Sequence, residues 1–556
     1  MGLSFTRIVL PLSLVLTPLL GDEAKIMHSL YLMHSNEIEA AIKKYQEAAQ
    51  QEGPNFEVLR QLFFLLMKQG IKKKDPETKL LSVYGAGLAM NASSLEILEE
   101  GLLSEEQQLQ TVSLFFIMQL NDDRSDSLVQ LAMASPFLGT RVEACYHMAM
   151  KKHPHASAYT EGLMQRLPPP FKAFFPQLFA LIGSNEALAQ LNQLLEDPLP
   201  QVRVEAIRSL AQFQRDDFIP LIRKHLTHAN VAEKEASAFA LGYLQDTSSS
   251  NVLKKISTSG SESLKLAALK ALYLLGDVSV KKEIEKMAEE QNFFAISTLG
   301  DIPGGEETLV SLLPSPNLHT RINAAVALLK RRDKRCLRAL KDVFITDTRD
   351  LALQPVSSLG RTHQAIKVVS SSKQQNEKLF DPDLSLALRE QFLALAFHLG
   401  EEEFLKLAKM LLDLKQYDLV PQLMRLLENL QTENTIALLK EETQKIGSPL
   451  IRDYANLVLF KLKVEGPYEE NLIQWIKGQK NTNLIKLRPM LSIQTRKEIS
   501  DYTLSGEDSS RLLLDSYAAL ASRQDAKSID ILLTALRDGN EKNRYALAGL
   551  LMRATE

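Results

Sequence analysis

The stretch Asp197-Pro-Leu-Pro-Gln-Val-Arg-Val-Glu-Ala-Ile-Arg-Ser-Leu210 decides the reading of this chain. A leucine-rich run, residues 188–195, precedes it. The two together read as helix, turn, helix. Within the second helix the apolar and small residues fall at helical spacing, so one face is buried.

Working outward, the pattern recurs every 31 residues. Lys79, Gln110, Arg141, Lys172, Arg203, Lys234 and Lys265 are equally spaced without a gap. Three residues after each stand Ser82, Ser113, Ala144, Phe175, Ala206, Ser237 and Ala268, all small but one. Seven residues after each stand Ala86, Ile117, Met148, Phe179, Leu210, Leu241 and Leu272, all apolar. A long polar residue with partners at +3 and +7 describes one helix seen from its buried side. A period of this length without strand signals predicts helix-turn-helix units in a solenoid. The unit at Lys172 departs most. Pro168, Pro169 and Pro170 precede it and Pro176 interrupts it, which predicts an irregular helix there. Further on the period drifts, and Arg321, Arg349, Arg389, Arg452 and Arg544 continue the series. At Arg349 the predicted helix takes in Ala352, Val356 and Leu359-Gly360. Leu-Gly pairs at 241–242, 275–276, 299–300, 359–360 and 399–400 predict left-handed helix ends.

Residues 197–206 carry the resemblance: the segment is similar to the HEAT-repeat pattern, and copies cover about residues 79–556, fitting poorly over 405–440 and 465–510. The resemblance implies an all-α fold, a right-handed superhelical solenoid of stacked antiparallel helix pairs. It also implies that an Asp in the turn pairs with an Arg six residues on. Asp197/Arg203, Asp383/Arg389 and Asp538/Arg544 keep that spacing. Ser135/Arg141, Ser259/Lys265 and Ser315/Arg321 put Ser in the Asp position. Ala206 and Leu210 are the packing residues of the best-preserved unit. The expected organisation is a signal peptide over 1–21, a helical region over 22–78 and a solenoid over 79–366. A loop or hinge follows over 367–383, then a more degenerate solenoid over 384–556, whose last repeat needs a polar outer face.

The signal-peptide reading rests on Arg7, a charge-free run over residues 8–20, and Gly21 ahead of Asp22-Glu23. The run is too short to span a bilayer of roughly 30 Å. A retained membrane-contacting segment is the other reading of residues 1–20.

The 556 residues are 45% hydrophobic and 24% charged but only 6% aromatic, with net charge −3. Such a chain has no global field to draw nucleic acid or an anionic membrane. The two cysteines, Cys145 and Cys336, lie several repeats apart and read as small buried residues rather than a disulfide.

Chemistry-bearing motifs are sparse. Lys330, Arg331, Arg332, Lys334 and Arg335 form the densest basic run and a candidate contact patch, without interleaved aromatics for base stacking. His225 and His228 lack a third and fourth ligand partner. Gly304-Gly305 lacks the Gly-Lys-Ser/Thr of a phosphate loop, and Ser261 lacks a nucleophile elbow. Trp475 sits at a core position of an amphipathic helix.

No catalytic, cofactor or metal site is expected. The function expected is an exported, non-enzymatic scaffold binding a protein or peptide partner, with nucleic acid disfavoured and membrane contact only through the N-terminal segment. A chromophore-lyase or DNA-glycosylase type of enzyme, or a membrane-peripheral assembly factor, are the alternatives. Ala206→Asp buries an unpaired charge where helices touch and is expected to lower stability by several kcal/mol in denaturant titration. A neutral result rejects the repeat register.

Overall fold

The computed structural model describes residues 17–121, 123–227, 230–345, 351–370, 381–491, 498–504 and 508–555. Their architecture is a HEAT-like α-solenoid: 30 α-helices, paired in sequence order, with two β-hairpins set among them. The chain forms two compact units, Cys145–Leu462 and the combination of Met1–Ala144 with Lys463–Glu556.

In the unit Cys145–Leu462, the second helices of successive repeats lie side by side. Pro200–Gln212 packs on Val231–Tyr243, which packs on Glu262–Leu274. Each also packs on the first helix of its own repeat, as Val231–Tyr243 does on Ile219–Leu226. Small residues set the spacing. A Cβ on Gly242 would stand 2.5 Å from the Ala271 Cα. Ala206, Leu210, Ala238 and Ala268 are fully buried.

The period is also written in the backbone. Lys152, Gly183, Gln214, Gln245 and Gly276 all take positive φ, at 50°, 66°, 54°, 59° and 96°, and are 31 residues apart. Behind these residues, the amides of His153, Arg215, Asp246 and Asp277 return to the carbonyls of Met148, Leu210, Leu241 and Leu272 at 2.8–3.0 Å. This is the six-to-one closure of a helix C-terminus. Of the five Leu-Gly pairs, only Gly276 and Gly400 supply the left-handed residue. Gly242 lies inside its helix, and Gly360 belongs to a hairpin. The proline-rich unit forms a 3-10 turn, Pro169–Phe174, ahead of the helix Phe175–Ile182.

In the other unit the C-terminal helices pack against the N-terminal ones. Arg544–Arg553 lies against Pro76–Ala89 and Phe56–Ile71. A Cβ on Gly549 would stand 2.0 Å from the Gly85 carbonyl oxygen, and the Tyr545 ring fills the space at Gly70. Lys542 pairs with Glu77 at 2.7 Å, Arg544 with Glu39, and the Gln46 amide donates to Asp530 at 2.7 Å. The expected polar outer face on the last repeat is therefore absent, because this helix is buried: Ala546 through Met552 are all buried.

The hairpins correct the sequence reading. Strand β1, Leu351–Ser357, pairs antiparallel with β2, Gln364–Ser370. Strand β3, Leu487–Leu491, pairs with β4, Glu498–Leu504, with an irregular register after Pro489. The helix expected at Ala352, Val356 and Leu359-Gly360 is β1 and the turn that follows it, and Arg349 lies outside the described residues. Pro355 forbids an interior helical amide, and Ile366, Val368 and Val369 favour a strand. The loop expected over 367–383 begins inside β2. Residues 371–380 lie outside the described ones, and the helix Pro382–Ala396 ends the segment. Residues 1–16 of the signal-peptide reading also lie outside, while Thr17–His34 is one helix that runs through Gly21.

The Gly549 contact gives a prediction of sign. In an ordinary helix Gly→Ala gains up to about 1 kcal/mol. Gly549→Ala is instead expected to cost about 1–3 kcal/mol because its methyl meets backbone. Gly162→Ala, whose Cβ meets nothing within 4 Å, is the matched control and is expected to stabilise. Denaturant unfolding of both variants checks the packing.

Candidate partner-binding surface

The repeat ladder is consumed by structure. At four turns the long polar residue donates to the carbonyl six residues before it. Gln110 bonds Ser104 O at 2.7 Å, Arg141 bonds Ser135 O at 2.5 Å, Arg203 bonds Asp197 O at 2.5 Å and Arg321 bonds Ser315 O at 2.9 Å. The turn side chain accepts the amide two residues on, as Asp197 does from Leu199 at 2.9 Å and Ser135 from Phe137 at 3.0 Å.

The carboxylate–guanidinium pair expected within the Asp197 repeat is not what forms. The Asp197 carboxylate takes Lys172 at 3.2 Å, from the repeat before. The Arg203 guanidinium forks onto Glu233 of the repeat after, at 2.6 and 3.0 Å. That fork raises the Arg203 pKa further. His225 Nδ1 also lies 3.2 Å from buried Glu233, and His228 falls outside the described residues. The ladder therefore runs between repeats. Lys234 stands half-buried at its place in the ladder, and Lys265 pairs with Glu283 at 2.6 Å.

The other expected pairs also differ. Arg389 is fully buried and binds Asp418, the Phe344 carbonyl and Gln416, whereas Asp383 is exposed and Asp381 caps the helix. Asp538 pairs with Arg537, and Arg544 reaches Glu39. Arg452 pairs with its neighbour Asp453 at 3.0 Å. Arg389 and Arg544 take acceptors from the tertiary packing, and Arg452 and Asp538 take their sequence neighbours, neither of which the six-residue spacing encodes.

The basic run is largely neutralised. Arg331 pairs with Glu306 at 3.0 Å, Lys334 with Glu403 at 2.8 Å, and Arg335 with Asp333 at 2.6 Å and Glu307 at 2.7 Å. Lys330 and Arg332 are exposed beside them. Cys145 and Cys336 are free and buried, and burial pushes the Cys336 thiol up to about 12. Trp475 is half-buried. Among the described residues no cluster of three metal-ligating side chains exists, and no helix is long and apolar enough to cross a membrane.

Two features of the second helices stand out. First, the hairpin β1–β2 lies across Val231–Tyr243, Phe293–Leu299 and Leu318–Lys330, and against Pro382–Ala396. Each of its edges is contacted by a helix side chain. The Asn323 amide donates to Ile366 O and accepts from Ile366 N, each at 2.8 Å. Ser385 Oγ accepts from Leu353 N at 2.9 Å. The turn is held by the fully buried Glu235, which accepts from Ser358 and from Thr362 at 2.6 Å. Arg361 adds an ion pair to Glu205 at 2.5 Å, and Gly360 fits because a Cβ there would stand 2.8 Å from Ala232 O. His363 is buried beside Thr298, and burial first, then Lys270, pushes its imidazole down to about 3. Sequence reasoning missed this site. Pro355 and the β-branched Ile366, Val368 and Val369 are its signals.

Second, the helix Leu138–Met150 presents Leu138, Val142, Tyr146 and Met150, each one turn from the next, all between 37% and 52% exposed. One repeat earlier, at the position of Tyr146, Phe115 is exposed as well. Nine of the 21 exposed large hydrophobic residues among the described ones fall between Leu103 and Phe174 in the sequence.

No family model and no curated protein matches the chain. Solved structures similar to it are helical-repeat proteins at low identity. The CpcE–CpcF complex of phycocyanin lyase from Nostoc sp. is 16% identical, covering 45% of this chain and 92% of that one, with TM-score 0.26. UNC-45 from Drosophila melanogaster is 12% identical over 96% of this chain and 81% of its own, with TM-score 0.33. Kap121p is 12% identical over 95% of this chain and 58% of its own, with TM-score 0.31.

His363 gives a pH prediction. Its imidazole is neutral when folded and protonates near 6.5 when unfolded, so the unfolded state binds the extra proton. Stability is then lost as pH falls from about 6.5 towards 3, by up to about 1.4 kcal/mol per pH unit. In denaturant titrations at pH 7 and pH 5, His363→Gln is expected to lose less stability on acidification than the parent, by at most about 2 kcal/mol. Identical pH dependence rejects the buried neutral histidine.

Proposed function

We propose that this protein is an exported, non-enzymatic scaffold that holds a protein or peptide partner on the outward face of the Leu138–Met150 helix. The observation that carries this reading is the exposed row Leu138, Val142, Tyr146 and Met150, apolar at all four positions with Glu143 exposed beside it. Aromatic and methionine side chains are enriched at protein interfaces, and a row at i, i+4, i+8 and i+12 suits a groove or helix of a partner. The net charge of −3 and the ion-paired basic run favour a protein over nucleic acid. The β1–β2 hairpin illustrates the same use of second helices inside the molecule. Export rests on residues 1–21.

A photo-crosslinking amino acid at position 146, introduced in the native cell, is expected to give a discrete protein adduct. The same residue at Lys282, on a first helix, serves as control. Val142→Glu in the first variant is expected to abolish the adduct without changing the circular dichroism. Equal adducts at both sites, or adducts to nucleic acid alone, reject the proposal.

A further inference from the structure

The helices under β1–β2 hold its backbone rather than its sequence. On Leu318–Lys330, Asn323 bonds both backbone groups of Ile366, each at 2.8 Å. One turn earlier His319 Nε2 stands 3.3 Å from the Val368 carbonyl oxygen. The two periods match, since four helical residues rise about 6 Å and two strand residues about 7 Å. This face can therefore take the edge of an extended chain laid antiparallel to the helix. Beside the clamp stand two acids. Fully buried Glu235 receives the hydroxyls of Ser358 and Thr362, and Glu205 pairs with Arg361 at 2.5 Å. The hairpin is still an incomplete fit. Glu235 Oε2 and His363 Nε2 are buried and have no hydrogen-bond partner among the described residues. Covering such atoms costs free energy that water returns once the cover lifts. Glu235, Thr298 and Asn323 also make the covered face polar, whereas permanent interfaces are the more apolar ones.

We propose that this face is a second binding site, for an extended aliphatic peptide carrying hydroxyls and a cation, and that β1–β2 is the chain's own competitor for it. The chemistry of the occupant is read from the ribbon seated there. Asn323 and His319 require an extended backbone, and Ile366 and Val369 show that branched aliphatic side chains are buried on it. Glu235 calls for hydroxyl donors and Glu205 for a cation, which Ser358, Thr362 and Arg361 supply in the hairpin. A two-stranded ribbon is marginal away from the helices, so a competing peptide has only the seat contacts to overcome. The site shares no residue with the row Leu138, Val142, Tyr146 and Met150, and its failure leaves partner crosslinking at position 146 untouched.

The probe is a fluorescein-labelled synthetic peptide of residues 351–370, titrated onto the full chain by anisotropy beside a scrambled control. Arg361→Glu with Thr362→Ala in the chain removes the hairpin's ties to Glu205 and Glu235 and leaves the helices unaltered. This loosened chain is expected to bind the peptide roughly tenfold tighter than the parent, whose site is filled by its own ribbon. Adding Asn323→Ala is expected to take that gain away with helicity unchanged by circular dichroism. Hydrogen exchange on the parent needs no variant, and residues 351–370 are expected to exchange roughly tenfold faster than Leu318–Lys330. Equal binding to parent and loosened chain, binding no tighter than the scrambled peptide, or a gain that survives Asn323→Ala overturns the proposal. So does exchange of the ribbon and that helix at one common rate.

Discussion

Each turn between paired helices exposes backbone carbonyls that must find donors, and the rest of the structure depends on how these are satisfied. At Ser104, Ser135, Asp197 and Ser315 the donor is the long polar residue six positions on. Having closed its own turn, that residue still has donors or acceptors to spare. Gln110 spends its carbonyl on Ser135 and Arg203 spends its fork on Glu233, each in a following repeat. A local requirement of the backbone thus becomes the polar tie between repeats. Small residues three positions on complete the arrangement, because alanine and serine let the helices come close enough for those ties to form.

This explains what was legible. The 31-residue period is a local property, since helix, turn and closure all lie within one repeat, and the left-handed residues from Lys152 to Gly276 keep its beat. Partners that lie far away in sequence are not legible. Arg544 keeps the expected spacing from Asp538, yet it binds Glu39, 505 residues away. The Arg389 side chain is buried in a polar nest built by Phe344, Gln416 and Asp418, none of which a repeat pattern points to. The hairpin departs from the repeat pattern for another reason. An arginine with apolar residues after it matched the repeat, while Pro355 and the β-branched residues of β2 spoke for strand, and tertiary context favoured the strand.

The hairpin also bears on where a partner can bind. An isolated two-stranded ribbon is marginal in water, so β1–β2 owes its existence to the helices beneath it. Those helices supply what a ribbon lacks. Asn323 pairs the outward backbone groups of Ile366 on β2, Ser385 accepts the Leu353 amide of β1, and Glu235 holds the turn. These contacts cap part of the strand edges, which unpaired would recruit another chain. The second-helix surface from Val231–Tyr243 to Leu318–Lys330 is therefore in part committed to a segment of its own chain. Among the described residues none covers the row Leu138, Val142, Tyr146 and Met150, which is apolar where the covered helices offer Glu235 and Asn323. A polar anchor under a self-segment and an apolar row left open are different solutions on the same kind of helix. The first fixes one occupant by hydrogen bonds to its backbone, whereas the second, on the function proposed above, would ask only for shape and apolar area.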